Sequence, residues 1–265
     1  MDFNLILIAV LIVAGIGLII GLILAIASAV MAVPTDEKVE ALTEALPGAN
    51  CGACGYSGCS GYAKALADGT AKNGACAPGG NDTAKIIAQI LGEEAKAVAP
   101  KVAVVHCVGI LDNTQDKVNY QGVSSCAAAM LTGDKGECSY GCLGLGDCEA
   151  ACPYGAVSVC NGVAKVDVTL CKACAMCVAA CPKGLISIVP LKPQAILRCS
   201  NCDKGAVAKK ACKAACIGCK KCEKVCEAGA VTVVNFKACV DPEKCTGCMA
   251  CVEVCPLGTL TAFIP

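Results

Sequence analysis

Apolar residues follow two regimes along this chain, and the change comes near residue 34. Residues 3–33, FNLILIAVLIVAGIGLIIGLILAIASAVMAV, hold no charged side chain over 31 positions. A helix of that length reaches roughly 46 Å, more than a hydrocarbon thickness of about 30 Å. A secretory signal is the alternative, and Ala27-Ser28-Ala29 has the form of a cleavage site. Such a signal needs a basic start and a shorter apolar run, whereas only Met1 and Asp2 come first here. The pattern predicts a single transmembrane helix, residues 1–34, that stays attached. Gly17, Gly21, Ala25 and Ser28/Ala29 put small residues on one face. That suits close packing on another membrane helix as well as it suits a plain anchor.

Beyond residue 34 the apolar stretches become short. In VEALTEAL, Val39, Leu42 and Leu46 share one side of a helix that Thr35 caps and Pro47-Gly48 ends. TAKIIAQILGEEAKAVA, residues 83–99, reads as an amphipathic helix. Four brief apolar runs, AVSV, LISIV, AVTVV and TLTAF, each come shortly after a cysteine and read as short strands.

Composition explains why the pattern is so weak. Of 265 residues 27 are Cys, while aromatics make up 3% and Trp is missing. A polar, aromatic-poor remainder of about 230 residues buries too little apolar surface for ordinary packing. Cysteine is the only residue abundant enough to supply the missing cohesion. Lys+Arg and Asp+Glu balance at 22 each, and aromatic platforms are lacking, which excludes a nucleic-acid binder. The cysteines stand in tight CxxC and CxxxC runs and their number is odd. Both facts argue against a disulfide scaffold and for metal centres in a reducing compartment. Paired CxxC serves zinc as well as iron.

The first module, residues 35–98, contains LPGANCGACGYSGC and a later CAPGG. Its Cys51, Cys54, Cys59 and Cys76 follow the spacing CxxCx4Cx16C, with glycines between them that let the backbone wrap one centre. The segment resembles the four-cysteine iron–sulfur domain of the RnfB family and of the corrinoid iron–sulfur protein. Three later runs keep the spacing CxxCxxCxxxC: Cys171-Cys174-Cys177-Cys181, Cys216-Cys219-Cys222-Cys226 and Cys245-Cys248-Cys251-Cys255. A fourth is a variant, Cys138, Cys142, Cys148 and Cys152, with Leu145 where regular spacing needs a cysteine. The runs resemble bacterial two-cluster ferredoxins, in which the fourth cysteine of a run serves the other cluster. That resemblance implies one cluster on Cys171, Cys174, Cys177 and Cys152. It implies two more on Cys216, Cys219, Cys222 and Cys255, and on Cys245, Cys248, Cys251 and Cys226. Cys226 is followed by Glu227 instead of the usual Pro. Cys138, Cys142, Cys148 and Cys181 make the remaining set.

Seven cysteines are left over: Cys107, Cys126, Cys160, Cys199, Cys202, Cys212 and Cys239. AVVHC, 103–107, precedes one ferredoxin repeat as AILRC, 195–199, precedes the other, and Cys138 and Cys212 each stand four residues before the next cysteine. A sixth cluster on Cys107, Cys126, Cys199 and Cys212 and a set of buried free thiols are both open readings. His106, the only histidine, is expected to pack or face solvent, Met176 and Met249 to fill space beside sulfur, and Tyr154 to pack over a cluster. No nucleophile–base pair, phosphate loop, dinucleotide fingerprint or flavinylation sequence is found, so the chain carries electrons and has no substrate pocket of its own.

Membrane helix, CGACGYSGC module and ferredoxin region, in that order, resemble the RnfB family of the Rnf complex over nearly the whole chain. The doubled ferredoxin region is similar to the form found in anaerobes. The resemblance implies a component of a Na⁺- or H⁺-translocating ferredoxin:NAD⁺ oxidoreductase that takes electrons from reduced ferredoxin. It implies membrane and NADH-binding partner subunits, five or six [4Fe–4S] clusters, and a single pass in the inner membrane with the cluster domains cytoplasmic. A membrane-anchored polyferredoxin of another reductase or hydrogenase, and a zinc-rich interaction scaffold, remain alternatives. The expected class is α+β: the helix 1–34, the four-Cys domain 35–98, a connecting segment 99–135, and ferredoxin domains at 136–190 and 191–265. Lys204, Lys209, Lys210, Lys213, Lys220, Lys221 and Lys224 face a single acid, Glu223, and form a candidate ferredoxin-docking patch.

Overall fold

The computed structural model describes residues 3–30, 36–95 and 97–265. Helix α1, Phe3–Val30, contains a 19-residue stretch, Val10–Ser28, of mean hydropathy 3.0. It is long and apolar enough to cross a membrane, and Leu18 and Val13 stand 75% and 71% exposed. A Cβ added at Gly17 or Gly21 would meet nothing within 4 Å, so this small-residue face is open within the chain. Residues 31–34 of the expected helix, and the side chain of Ala29, lie outside the described residues.

The cap expected at Thr35 also lies outside them; Asp36 caps α2, Glu37–Ala45, its side chain accepting from the Lys38 N–H at 3.0 Å. Leu42 and Leu46 from this helix pack on Tyr62 and Leu66 of α3, Cys59–Ala67, and on Ile87 of α4, Gly80–Leu91. Helix α4 stops eight residues before the position read from the sequence. Gly92 adopts φ +72° there, and the left-handed turn ends the helix despite a favourable run of side chains beyond it.

Two similar assemblies of short elements follow. In the first, β1 (Lys101–Val105) pairs antiparallel with β4 (Ile186–Pro190), Lys101 opposite Pro190 and Val105 opposite Ile186. Between them come α5 (Cys126–Leu131), α6 (Asp147–Ala150), the hairpin β2 (Val157–Cys160) with β3 (Val163–Val166), and α7 (Met176–Ala180). In the second, β5 (Gln194–Leu197) pairs with β8 (Leu260–Phe263). Inside lie α8 (Gly205–Ala211), α9 (Lys221–Lys224), the hairpin β6 (Val231–Val234) with β7 (Lys237–Val240), and α10 (Ala250–Glu253). All four expected strands are present. Strand β1 falls in the stretch expected to be only a connector, yet it supplies half of a sheet.

Side-chain packing is thin, and cysteines are part of it. Cys148 and Cys177 sit in the core of the first unit, and Cys199, Cys212, Cys216, Cys222 and Cys251 in that of the second. Val102 and Val104 of β1 meet Ile196 of β5 and Phe263 of β8, which joins the units. Polar bonds cross the same seam: Thr114 Oγ1 to Ala211 O at 2.8 Å, Lys213 N–H to Asn113 O at 2.8 Å, and Ser200 Oγ to His106 O at 3.1 Å.

Candidate functional site

One backbone device recurs four times. Two and four residues after the first cysteine of each regular run, and after Cys142 in the variant one, φ is positive: Gly144 and Gly146, Ala173 and Ala175, Gly218 and Lys220, Gly247 and Met249. The second member of each pair leads into α6, α7, α9 and α10 respectively. Alternating hand of this kind turns successive N–H groups inward and forms a concavity for negative charge. Three of the four pairs contain a residue with a side chain, which costs strain that the surroundings must hold in place. The helix then presents a buried cysteine, Cys148, Cys177, Cys222 or Cys251. Four residues later the chain supplies another: Cys152, Cys181, Cys226 and Cys255.

The thiols gather as follows. Cys51, Cys54, Cys59 and Cys76 line one cavity, and Cys216, Cys219, Cys222 and Cys255 another, as the spacing predicts. The Cys177 thiol is pushed up to about 11, first by burial and then by Cys174, Cys171 and Cys152. Burial raises Cys251 too, followed by Cys245, Cys226 and Cys248, so these two fours also lie together.

The remaining two groups differ from the sequence expectation by an exchange. Cys126, which regular spacing leaves among the surplus cysteines, lines a cavity with Cys142, Cys148 and Cys181. Cys138, which spacing assigns to Cys142, Cys148 and Cys181, lines a cavity with Cys107, Cys199 and Cys212. The physical reason is visible at Asp147. Its carboxylate accepts from Ser125 Oγ (3.1 Å), Cys126 N–H (2.9 Å) and Ala127 N–H (3.0 Å), and so fastens the start of α5 beside Cys148. Burial pushes the Asp147 pKa up, but these donors outweigh it and hold the carboxyl below its ordinary value. Leu145, at the position lacking a cysteine, packs with Leu143 against Cys126 and Ala129 of α5. The seam cavity is symmetric in its sources, with Cys107 and Cys138 from the first unit and Cys199 and Cys212 from the second. The signal was present in the sequence: the AVVHC/AILRC pair and the matched offsets of Cys138 and Cys212 belong to one symmetry.

Four cavities are lined by four thiols each, a repeated donor set that fits repeated binding of one kind of group. Among the described residues no three His, Cys, Asp or Glu side chains converge closely enough to hold a single ion; the thiols ring a space instead. Sulfur also receives amide hydrogens. Cys152, Cys181 and Cys226 accept from the N–H four residues on, at 3.3, 3.4 and 3.2 Å. Cys171 accepts from Ala103 at 3.4 Å, Cys107 from Cys142 at 3.4 Å, and Cys199 from Cys216 at 3.3 Å. Without metal such groups cannot ionise together. The Cys148 thiol is pushed up to about 12, by burial first and then by Cys142, Cys181 and Cys126. Iron supplies the positive charge that makes four thiolates compatible in one place.

Cys160 and Cys239 are exposed, and Cys202 is half-buried with its Sγ donating to Ser200 O at 3.5 Å; none lines these four cavities. His106 packs as expected, its ring bridging Leu197 O (2.7 Å) and Ser187 Oγ (2.6 Å). The Tyr154 hydroxyl is raised by burial and then by Cys174, Cys51, Cys76 and Cys59, which puts it between the first module and the first unit.

Fold and site together define an iron–sulfur electron-transfer protein with an apolar N-terminal helix. Family models agree: residues 46–78 match an Fe-S cluster family, and residues 215–259 match the 4Fe-4S dicluster domain. Over 233 residues the chain is 41% identical to the B subunit of the ion-translocating oxidoreductase complex of Methanosarcina acetivorans, covering 87% of this chain and 88% of that one. It is 42% identical over 244 residues to the B subunit of the Na(+)-translocating ferredoxin:NAD(+) oxidoreductase complex of Acetobacterium woodii, covering 91% and 73%. With the B subunit of the proton-translocating ferredoxin:NAD(+) oxidoreductase complex of Clostridium ljungdahlii it shares 35% over 229 residues, 85% and 81%. The chain belongs to the RnfB family, the B subunits of Rnf, or ion-translocating oxidoreductase, complexes.

Proposed function

We propose that the chain is the electron-relay subunit of an ion-translocating ferredoxin:NAD⁺ oxidoreductase, accepting electrons from reduced ferredoxin and passing them to membrane partners. It works within a multi-subunit complex, as its relatives' names state for theirs. Helix α1 passes the membrane once, and the cluster-bearing bulk lies in the cytoplasm, where thiols stay reduced. The chain is an α+β protein with a doubled ferredoxin region and six [4Fe–4S] clusters. Five are held by Cys51/54/59/76, Cys152/171/174/177, Cys126/142/148/181, Cys216/219/222/255 and Cys226/245/248/251, and the sixth by Cys107/138/199/212 at the seam. When bound, such clusters supply reversible one-electron storage; the protein supplies thiolates, amide donors and spacing.

What supports this reading is a set of links that joins the six groups in succession. Cys174 feels Cys51 of the first module. Cys148 and Cys152, like Cys177 and Cys181, divide one turn of chain between two neighbouring groups. The Cys142 N–H donates to Cys107 Sγ, and the Cys216 N–H to Cys199 Sγ, which ties the seam group to one neighbour in each unit. The second unit repeats the shared turn with Cys222/Cys226 and Cys251/Cys255.

The test is iron stoichiometry of the purified full chain and its double variants. The wild type should hold about 24 irons. Cys138→Ser and Cys199→Ser should each cost about four irons, and the pair together no more, because both belong to one cluster. Cys126→Ser with Cys199→Ser should cost about eight. The reverse pattern would restore the grouping read from spacing. Stoichiometric zinc in place of iron would end the electron-transfer reading altogether.

A further inference from the structure

Arg198 is the only arginine of the chain, as His106 is the only histidine. The two hold equivalent places. Each follows a strand and comes just before a cysteine of the seam cavity. Each donates its N–H to the residue preceding the partner strand, His106 to Leu185 O and Arg198 to Thr259 O, both at 2.7 Å. Their side chains differ. His106 is fully engaged by Leu197 and Ser187, whereas Arg198 lines the seam cavity beside Cys107, Cys138, Cys199 and Cys212. Its Nε is buried without a hydrogen-bond partner, and its guanidinium forms none of the ion pairs among the described residues.

Arg198 is half-buried, and a guanidinium with a buried, unpartnered Nε is costly unless a negative group faces it. Three of the four seam cysteines are buried, whereas the second unit exposes Cys219 and Cys248. A cluster gains negative charge on reduction, so water exclusion at the seam would make it the hardest link to reduce. A fixed guanidinium reverses that penalty, and the buried Asn201 amide adds a donor to Cys138 Sγ at 3.5 Å.

We propose that Arg198 is the built-in counter-charge of the seam cluster and raises its reduction potential, so that electrons cross between the two units without an uphill step. The proposal rests on the seam grouping given above. Its test is a dye-mediated redox titration of the full-length holoprotein followed by low-temperature electron paramagnetic resonance, with iron counted in every sample. The seam signal is the component missing from Cys138→Ser. In Arg198→Met that component should shift at least tenfold in its reduction equilibrium towards the oxidised form, about 59 mV for one electron. Arg198→Lys, which keeps the charge, should stay near the wild-type midpoint. A wild-type midpoint in Arg198→Met at full iron content would overturn the proposal. If Arg198→Met instead loses about four irons, the Lys variant decides. Full iron and an unshifted midpoint there support a role for charge, and equal iron loss overturns it in favour of packing. Failure of the grouping is separate: Cys138→Ser would then fail to pair with Cys199→Ser in iron count, whatever Arg198 does.

Discussion

The unit closed by β1 and β4 and the unit closed by β5 and β8 share a backbone and differ in what decorates it. In both, a glutamate two residues into the short helix reaches the hairpin of its own unit: Glu149 accepts from Val159 N–H at 3.2 Å, and Glu223 from Val233 N–H at 3.0 Å. In both, a glycine two residues after a cysteine, Cys142 or Cys216, lies against the hairpin turn. A Cβ at Gly144 would come within 2.5 Å of Gly162 O, and one at Gly218 within 2.7 Å of Phe236 O. The turns themselves differ. Asn161-Gly162 suits a tight hairpin with both residues at positive φ, whereas Asn235-Phe236 forces a phenylalanine to φ +60°. Charge differs too. Around the helix the first unit carries Asp147 and Glu149, while the second carries Lys220, Lys221 and Lys224. Cluster loops thus tolerate little change, and strain and surface charge are where the units diverged.

Removing iron should abolish the comparison, because the clusters replace the core that side chains do not provide. A chelated chain should lose the structure of both units together, seen as loss of circular dichroism and visible absorption. Survival of either unit would break the claim that both depend on metal. The sign of the pH effect on any metal-free remnant follows from the thiols. Burial holds Cys107, Cys177 and Cys222 up at about 11 and Cys148 at about 12, above an ordinary 9.0. The folded form keeps its protons longer than the unfolded one, so this stabilisation is complete below pH 9.0 and disappears as pH rises through 11 to 12.

Gly144→Ala and Gly218→Ala should each destabilise by about 1–3 kcal/mol in denaturant titrations, since both add a methyl against backbone at a positive φ. Equal losses would show that the loop–hairpin contact is the shared requirement. Phe236→Gly should stabilise the second unit by about 1 kcal/mol, as strain is relieved, and the midpoint of thermal unfolding reports it. A loss instead would show that the partly exposed ring packs usefully. The smallest effect concerns docking. Lys209 and Lys210 lie in the last turn of α8, and none of the lysines of this run forms a salt bridge among the described residues. Lys209→Glu with Lys210→Glu should slow reduction by ferredoxin several-fold through the association rate, and the wild-type rate should fall as salt rises. Unchanged kinetics at low salt would move the docking search to the four-cysteine module.

The sequence made the cluster loops plain because their ligands are local, three or four residues apart, and the short strands after them because an apolar run follows each cysteine. It hid β1 and β5, whose partners lie over sixty residues away, so that AVV and AIL showed only as a repeated prelude to cysteine. Cys126 was obscure for the same reason. Its place beside Cys148 depends on Asp147 holding a helix start from twenty residues upstream, and regular spacing gives no hint of that. The end of α4 shows another limit, since helix-favouring side chains continue past Gly92 and the backbone alone stops there.

The cysteine pairs set four residues apart have one further consequence. On the proposed grouping each pair serves two neighbouring centres, one thiol on the short helix and the other just past its end. The short stretch of main chain therefore acts as a tether that caps the gap between the two thiols at about 14 Å of extended chain. Electron-transfer rates fall steeply with distance, so this conducting path is protected from the slow drift of surface residues. It is vulnerable to one kind of change: a single residue inserted between Cys148 and Cys152, or between Cys222 and Cys226, would carry the second thiol away from its place and open the circuit.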